Sequence, residues 1–259
     1  MDHLESRAEL VVSSPTIVQI SAFTHRGLHR VTNEDCIGIG GWMRNVSEDA
    51  PVEFSLKMLP KTFLLIADGL GGHQSGALAS QIAIASLSQA LCEPTSISGN
   101  SVAQILSKTN REIWTLLAGE RQHAGAGTTV AGIICSPNEC YAFNVCDSRV
   151  YRRRENFLQL LSTDDRLPTH SMAEQSNVLL QALGGSEEEK QIQPHIVTFP
   201  CVAGDEFLLC SDGLSDLITI DQLEDALGED LSFSVAKLRD LVFVAGAHDN
   251  VSIIYARLV

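Results

Sequence analysis

The sequence predicts an α+β protein in which antiparallel sheets are covered by helices. Three observations carry this. Short apolar runs of strand length outnumber the segments with helical spacing. They follow one another too closely for a helix to cross between each pair, so strict βαβ alternation is not expected. One stretch, YAFNVCDSRVYRRRENFLQLLS, reads directly as an antiparallel hairpin.

Taken in order, strands are expected at 17–25 (IVQISAFTH), 36–42 (CIGIGGW) and 62–68 (TFLLIAD). A helix follows over 75–91, where Leu78, Ile82, Ala85 and Leu87 recur at steps of two to four, and a second over 101–117 on Val102, Ile105, Leu106, Ile113 and Leu116. Strands resume at 129–135, 140–147, 157–162 and 206–212. Helices are expected at 221–228 and 232–246, and a last strand at 250–259. No repeat, low-complexity tract or linker interrupts this order. The 259 residues, 44% hydrophobic, suffice for one large core, so residues 1–259 are read as a single domain with a loosely ordered extension up to about residue 16.

Composition narrows the function. A net charge of -14 argues against nucleic acid, which needs clustered Lys and Arg to neutralise phosphates. The one basic run, Arg152, Arg153 and Arg154, reads as a solvated hairpin end. No apolar run approaches the roughly 18 residues of a membrane span, and MDHLESRAEL is acidic where a secretion signal is basic and then apolar. The expectation is a soluble cytoplasmic protein without a membrane partner. Seven cysteines lie scattered with no CxxC pair, several inside apolar runs, and read as reduced core thiols.

Acids at strand ends carry the functional argument. Asp68 ends FLLIA, Asp147 follows YAFNVC, Asp212 ends EFLLCS and Asp249 opens NVSIIYARLV. One such residue alone is a common turn or helix-cap aspartate. With the strands side by side, several carboxylates meet at one rim, and like charges at close range resist joint ionisation unless a cation neutralises them. The set lacks a Cys or His partner at ligand spacing, so the cation is a hard one, Mg²⁺ or Mn²⁺, rather than zinc; no EF-hand loop points to calcium. Two such ions a few ångström apart can share one water, lower its pKa and clamp a phosphoryl group. In LLIADGLGGHQSG, residues 64–76, the glycines after Asp68 let the backbone approach a metal or an anion, with Gly69 offering its carbonyl. The rival, a dinucleotide loop, fails on spacing: Gly69, Gly71, Gly72 and Gly76 miss GxGxxG. A Walker motif and a GxSxG elbow are absent too.

The ordered set HRVTNED (29–35), ADGLGGHQSGALAS (67–80), GAGTT (125–129), NVCDSRVY (144–151), LLQALGG (179–185), DEFLLCSDGLSD (205–216) and HDNVSII (248–254) resembles the metal-dependent (PPM, type 2C) serine/threonine protein phosphatases in their compact bacterial form. The likeness covers nearly the whole chain from about residue 20. It implies a four-layer αββα sandwich, two antiparallel sheets flanked by helices, with a dinuclear Mg²⁺ or Mn²⁺ site at one end. By motif, Asp68 resembles the ligand that bridges both ions, with the Gly69 carbonyl on one of them; Asp212 and Asp249 complete the other. Asp147 matches a position that, with Asp212, holds a third ion. Glu34 and Asp35 match acids that orient metal-bound waters. Arg30 matches the arginine that grips substrate phosphate, a task suited to its planar fork of donors. The implied reaction is hydrolysis of phosphoserine and phosphothreonine on proteins by a metal-bridged hydroxide, opposing a Ser/Thr kinase in signalling. The alternative is a pseudophosphatase that binds phosphoproteins without turnover.

Arg149 is expected to hold the hairpin in place, His73 to cap a helix rather than ligate, and Thr128 and Thr129 to pack and hydrogen-bond. Three departures from the family pattern stand out. Leu70 occupies the place of a histidine found in eukaryotic members. Cys146 occupies the place of a usual glycine. The usual TxDH reads TDD at 163–165, and the flap that follows is short.

Overall fold

The computed structural model describes residues 15–71, 74–93, 96–117, 123, 125–167, 178–186 and 188–259. Most of the expected N-terminal extension, and His73, lie outside these residues. In chain order the elements are β1 (Ile17–His25), β2 (Cys36–Ile39), β3 (Trp42–Arg44), β4 (Val52–Lys57), β5 (Thr62–Ala67), β6 (Gly69–Leu70), α1 (Gln74–Cys92) and α2 (Gly99–Leu117). There follow β7 (Gly127–Thr128), β8 (Val130–Cys135), β9 (Glu139–Val145), β10 (Arg149–Arg154), β11 (Phe157–Leu160), β12 (Leu183–Gly184), β13 (His195–Pro200) and β14 (Glu206–Cys210). The chain closes with α3 (Asp212–Ser215), α4 (Ile220–Ala226), α5 (Leu231–Val244) and β15 (Val251–Leu258).

Two six-stranded antiparallel sheets form the centre, ordered β11-β10-β14-β15-β1-β4 and β13-β9-β8-β5-β2-β3, with a small third sheet β12-β7-β6 beside them. Alternation along each strand explains why the central ones read as continuous apolar runs: both faces are covered. In β5, Leu64 and Ile66 point into the core between the sheets, whereas Phe63, Leu65 and Ala67 point to α1 and α2. In β15, Ile254, Ala256 and Leu258 join the same central core, whereas Ile253 and Tyr255 face the layer of α4 and α5. The result is helices, sheet, sheet, helices. Each fully buried Leu or Ile side chain contributes roughly 1.5–3 kcal/mol of transfer free energy.

In the two large sheets β4 and β13 escaped the sequence reading, and both are sheet edges; the two-residue strands β6, β7 and β12 of the small sheet escaped it too. Edge strands bury little, so their sequences, VEFSLK and HIVTFP, carry no apolar run. The arginine run is not a solvated end as expected. Arg153 donates to Glu206 at 2.6 Å and Arg154 forks onto Asp205 at 2.7 Å, while Arg152 lies 5.0 Å over the Phe199 ring. The cysteines are free; Cys92 is exposed and Cys201 half-buried, the others buried. Among the described residues, no helix is long and apolar enough to cross a membrane.

Register decides where the acids go. Cys36 pairs with Ala67 and Val130 with Val145, so the start of β2, the end of β5, the start of β8 and the end of β9 lie at one end of the second sheet. Cys210 pairs with both Ile253 and Arg149, and His25 with Val251, so the end of β14 and the starts of β10 and β15 lie at one end of the first. The buried hydroxyl of Ser211, just after β14, donates to Asp35, just before β2, at 2.8 Å. The two ends therefore form one rim.

Candidate active site

Every acid singled out in the sequence lies on this rim. Asp68 follows β5, Asp147 follows β9, Asp212 opens α3 and Asp249 precedes β15. Asp68, Asp147, Asp212 and Asp249 line one cleft of about 380 Å³ together with Arg30, Arg166 and Asp216. A larger basin of about 870 Å³, bordered by His25, Asn33, Ser47 and His123, contains Asp49 as its one carboxylate, so the acidic chemistry belongs to the smaller cleft.

The backbone around Asp68 is tied down from both sides. Its N–H donates to the Thr129 hydroxyl at 2.9 Å, and the Thr128 hydroxyl donates to its carbonyl at 2.8 Å. The two threonines are thus hydrogen-bonding groups, as expected. Two of the glycines have a packing reason that the sequence did not suggest. A Cβ on Gly69 would lie 2.2 Å from the Gly76 carbonyl, and a Cβ on Gly76 would lie 2.3 Å from the Glu34 carboxylate. The chain itself, α1 against β6 and the loop before β2, occupies the space that the missing side chains release.

Glu34 and Asp35 are buried. The Glu34 N–H donates to Asn250 Oδ1 at 2.8 Å, and Asn250 Nδ2 donates to the carbonyls of Arg26 and Thr32. Asn250 thereby locks the NED loop to the start of β15, which explains the DN pair. Gly213 closes the same corner: a Cβ there would meet the Asn250 carbonyl at 1.9 Å.

Asp147 sits in a strained turn. Cys146 has φ 80, the left-handed region that glycine tolerates and other residues pay for with about 1–3 kcal/mol. Its neighbours hold it there. The Cys146 N–H donates to Asp165 at 2.8 Å, and its carbonyl accepts from Asn144 Nδ2 at 3.0 Å. Asp165 also contacts His195 and Gln181. Arg149 forks onto Asp164 and reaches the Tyr151 hydroxyl, a hairpin brace as expected.

Electrostatics mark the cleft as a place that resists negative charge. Burial, and then the charges of Asp35, Asp212, Asp249 and Asp147, hold the Asp68 carboxyl well above the usual carboxylate range. Burial pushes Asp35 up to about 7 despite the Ser211 hydroxyl. Asp212 is pushed up to about 6 by burial and by Asp147, Asp216 and Asp249. Among the described residues nothing donates a hydrogen bond to the Asp68 carboxylate, and buried Asp35 Oδ1 is unpartnered. Orphaned carboxylate oxygens at this depth, all hard donors, fit Mg²⁺ or Mn²⁺.

Two arginines stand among the acids. Arg30 donates to Asp249 at 2.6 Å, with half of its side chain exposed, so the pair is a surface one worth at most about 1 kcal/mol. Arg166, not singled out in the sequence, donates to Asp147 at 2.6 Å, Asp216 at 3.0 Å and Asp212 at 3.1 Å. Asp147, expected beside Asp212 on a third ion, is therefore engaged by a guanidinium. Among the described residues no three acid, His or Cys side chains already surround one ion-sized point. The signal for Arg166 was the departure from TxDH, where Arg166 follows Asp165. Leu70 and His248 also line the cleft.

Comparison with known proteins places this geometry. A family model described as protein phosphatase 2C matches residues 49–242. The serine/threonine phosphatase stp of Listeria welshimeri is 30% identical over 253 residues, 89% of this chain and 92% of that protein. The serine/threonine protein phosphatase PstP of Mycobacterium tuberculosis is 28% identical over 260 residues; the match takes in 94% of this chain but 45% of PstP. The chain thus spans about half the length of that relative. The crystal structure of the PstP catalytic domain with two manganese ions superposes with a TM-score of 0.74 at 28% identity, over 94% of this chain and 100% of that one. PppA of Pseudomonas aeruginosa superposes at 0.77 with 25% identity, over 95% and 99%.

Proposed function

The chain belongs to the protein phosphatase 2C family, and on that premise we propose that its acidic cleft hydrolyses phosphoserine and phosphothreonine on proteins, using two Mg²⁺ or Mn²⁺ ions. The observation that carries this reading is the Asp68 carboxylate, without a donor among the described residues and facing Asp212 and Asp249 across the cleft that Arg30 borders. Asp68, the Gly69 carbonyl, Asp212 and Asp249 are the groups that would hold the ions. The bound cations supply a water nucleophile activated at neutral pH and positive charge against the phosphoryl oxygens.

The chain's own residues do the rest. Arg30 is half exposed, so its free donors face solvent at the cleft mouth and can fork onto two phosphate oxygens. Asp35 and Glu34, fixed by Ser211 and Asn250, present carboxylates beneath the rim that orient water. Leu70 offers no proton where it lines the cleft, so the leaving alkoxide takes its proton from water or from His248 on the same cleft wall. Phosphate monoesters are among the slowest esters to hydrolyse unaided, so positioning and charge must provide most of the acceleration. We propose further that the protein acts in the cytoplasm on phosphorylated proteins and opposes a Ser/Thr kinase.

The test is hydrolysis of a phosphothreonine peptide and of para-nitrophenyl phosphate, with Mn²⁺ added or chelated. Metal-dependent release of phosphate from both is expected. Tight peptide binding without turnover in Mn²⁺ would make the chain a pseudophosphatase and overturn the proposal.

A further inference from the structure

Arg166 is the least expected member of the cleft. It lies on the segment that leaves β11, and both of its flanks are pinned. Asp165 is tied to Cys146, Gln181 and His195, while Arg166 bridges to Leu179 and the Leu167 N–H donates to the Val178 carbonyl. From this anchored backbone the guanidinium enters the cleft with its side chain 10% exposed. Each of its three nitrogens takes a different acid: Nε meets Asp147, Nη1 meets Asp216 and Nη2 meets Asp212. Burial opposes its charge, yet Asp147 and Asp216 more than offset that and hold its pKa above the ordinary value.

We propose that Arg166 is a tethered cation that takes the place of a third metal ion, holding Asp147 and Asp216 and turning Asp212 toward the ions it shares with Asp68 and Asp249. The inference rests on the two-ion reading above and deepens it. A planar fork with donors at 2.6 Å and 3.1 Å from Asp147 and Asp212 fills the space between them, so a hydrated dication cannot lie there as well. The charge logic is the same as for an ion. Three carboxylates in a shielded pocket need a counter-charge, and here the chain supplies one that no chelator can remove. Arg166 is a positioning residue; it is not assigned a contact with substrate.

The experiment counts ions. Mn²⁺ uptake is measured by isothermal titration calorimetry, with the number of bound ions checked by manganese electron paramagnetic resonance, on the wild type, Arg166→Ala and Arg166→Lys. The wild type is expected to take up two ions, Arg166→Ala three, the added one weaker, and Arg166→Lys two, because an ammonium retains the charge. Equal counts in wild type and Arg166→Ala overturn the proposal. So does a wild type that takes up three, which decides the matter even where the alanine variant does not fold and leaves the phosphatase reading intact. A wild type that takes up none overturns both.

Discussion

Asp212→Asn should make the metal-free protein more stable while removing its response to metal. Asp212 is mostly buried at the start of α3, 27% of its side chain exposed, and its carboxyl is pushed from 3.8 to about 6 by burial and by Asp147, Asp216 and Asp249. At about 1.4 kcal/mol for each tenfold in proton affinity, keeping it ionised at pH 7.5 costs the metal-free fold about 3 kcal/mol. Asparagine keeps the shape and removes the charge. That cost is already net of the attraction Arg166 offers the charged form. The gain is about 3 kcal/mol, a rise in Tm of about 6–12 °C for a chain of this size. A raised carboxyl contributes stability that is fully present below 3.8 and lost as pH rises through about 6. The gain in the variant should therefore be seen at pH 7.5 in EDTA and vanish near pH 4. Added Mn²⁺ must reverse the order, because each of two ions at a hundred times its Kd stabilises the wild type by about 2.7 kcal/mol and the variant by far less. The assay is thermal unfolding by circular dichroism in EDTA and in Mn²⁺. A variant less stable than wild type in EDTA at pH 7.5, or one with an undiminished response to Mn²⁺, would falsify the argument.

Other substitutions separate the roles of single groups. Arg30→Ala should lower kcat/KM on a phosphothreonine peptide by about 10–100-fold, the value of one or two charge-assisted bonds, and leave Tm within 1 °C of wild type because its partner pair is exposed; Arg30→Lys should recover only part of the loss. At Cys146, urea unfolding should rank glycine equal to or above alanine, the reverse of an ordinary buried site, because φ 80 strains any Cβ. A glycine variant more than about 1 kcal/mol less stable than alanine would show that the turn carries no strain. Glu206 accepts from Arg153, Arg257 and the Tyr255 hydroxyl at the end of β14 remote from Asp212. Glu206→Gln should cost about 3–5 kcal/mol of stability by leaving two arginines unmatched, with kcat unchanged at a temperature where the fold persists.

The layers and the acidic rim were legible because both rest on local chemistry. TFLLIA and EFLLC are buried at every position and apolar after their first residue, as two-sided burial demands, and an aspartate one or two residues past each, Asp68 and Asp212, marks the rim. Edge strands β4 and β13 were not legible, since a strand with one neighbour needs no such run. The glycines after Asp68 were read as letting the backbone approach a ligand; the clearances add that Gly69 and Gly76 also make room for each other and for Glu34. Sequence spacing gives the presence of close approach without naming what approaches.

Arg166 shows the larger limit. Its three acids lie 19, 46 and 50 residues away along the chain, Asp147 after β9 and Asp212 and Asp216 at the two ends of α3, and neither spacing nor composition joins them to Arg166. They meet because the ends of β9 and β14 share a rim, a consequence of register in two separate sheets. The same register that collects carboxylates must also collect whatever offsets them. On the proposed reading, metal drawn from solution would do this for Asp68, Asp212 and Asp249; for Asp147 and Asp216 it is an arginine carried by the chain. Where a fold concentrates charge, the departures from a family pattern at nearby positions are the first places to look for its counter-charge.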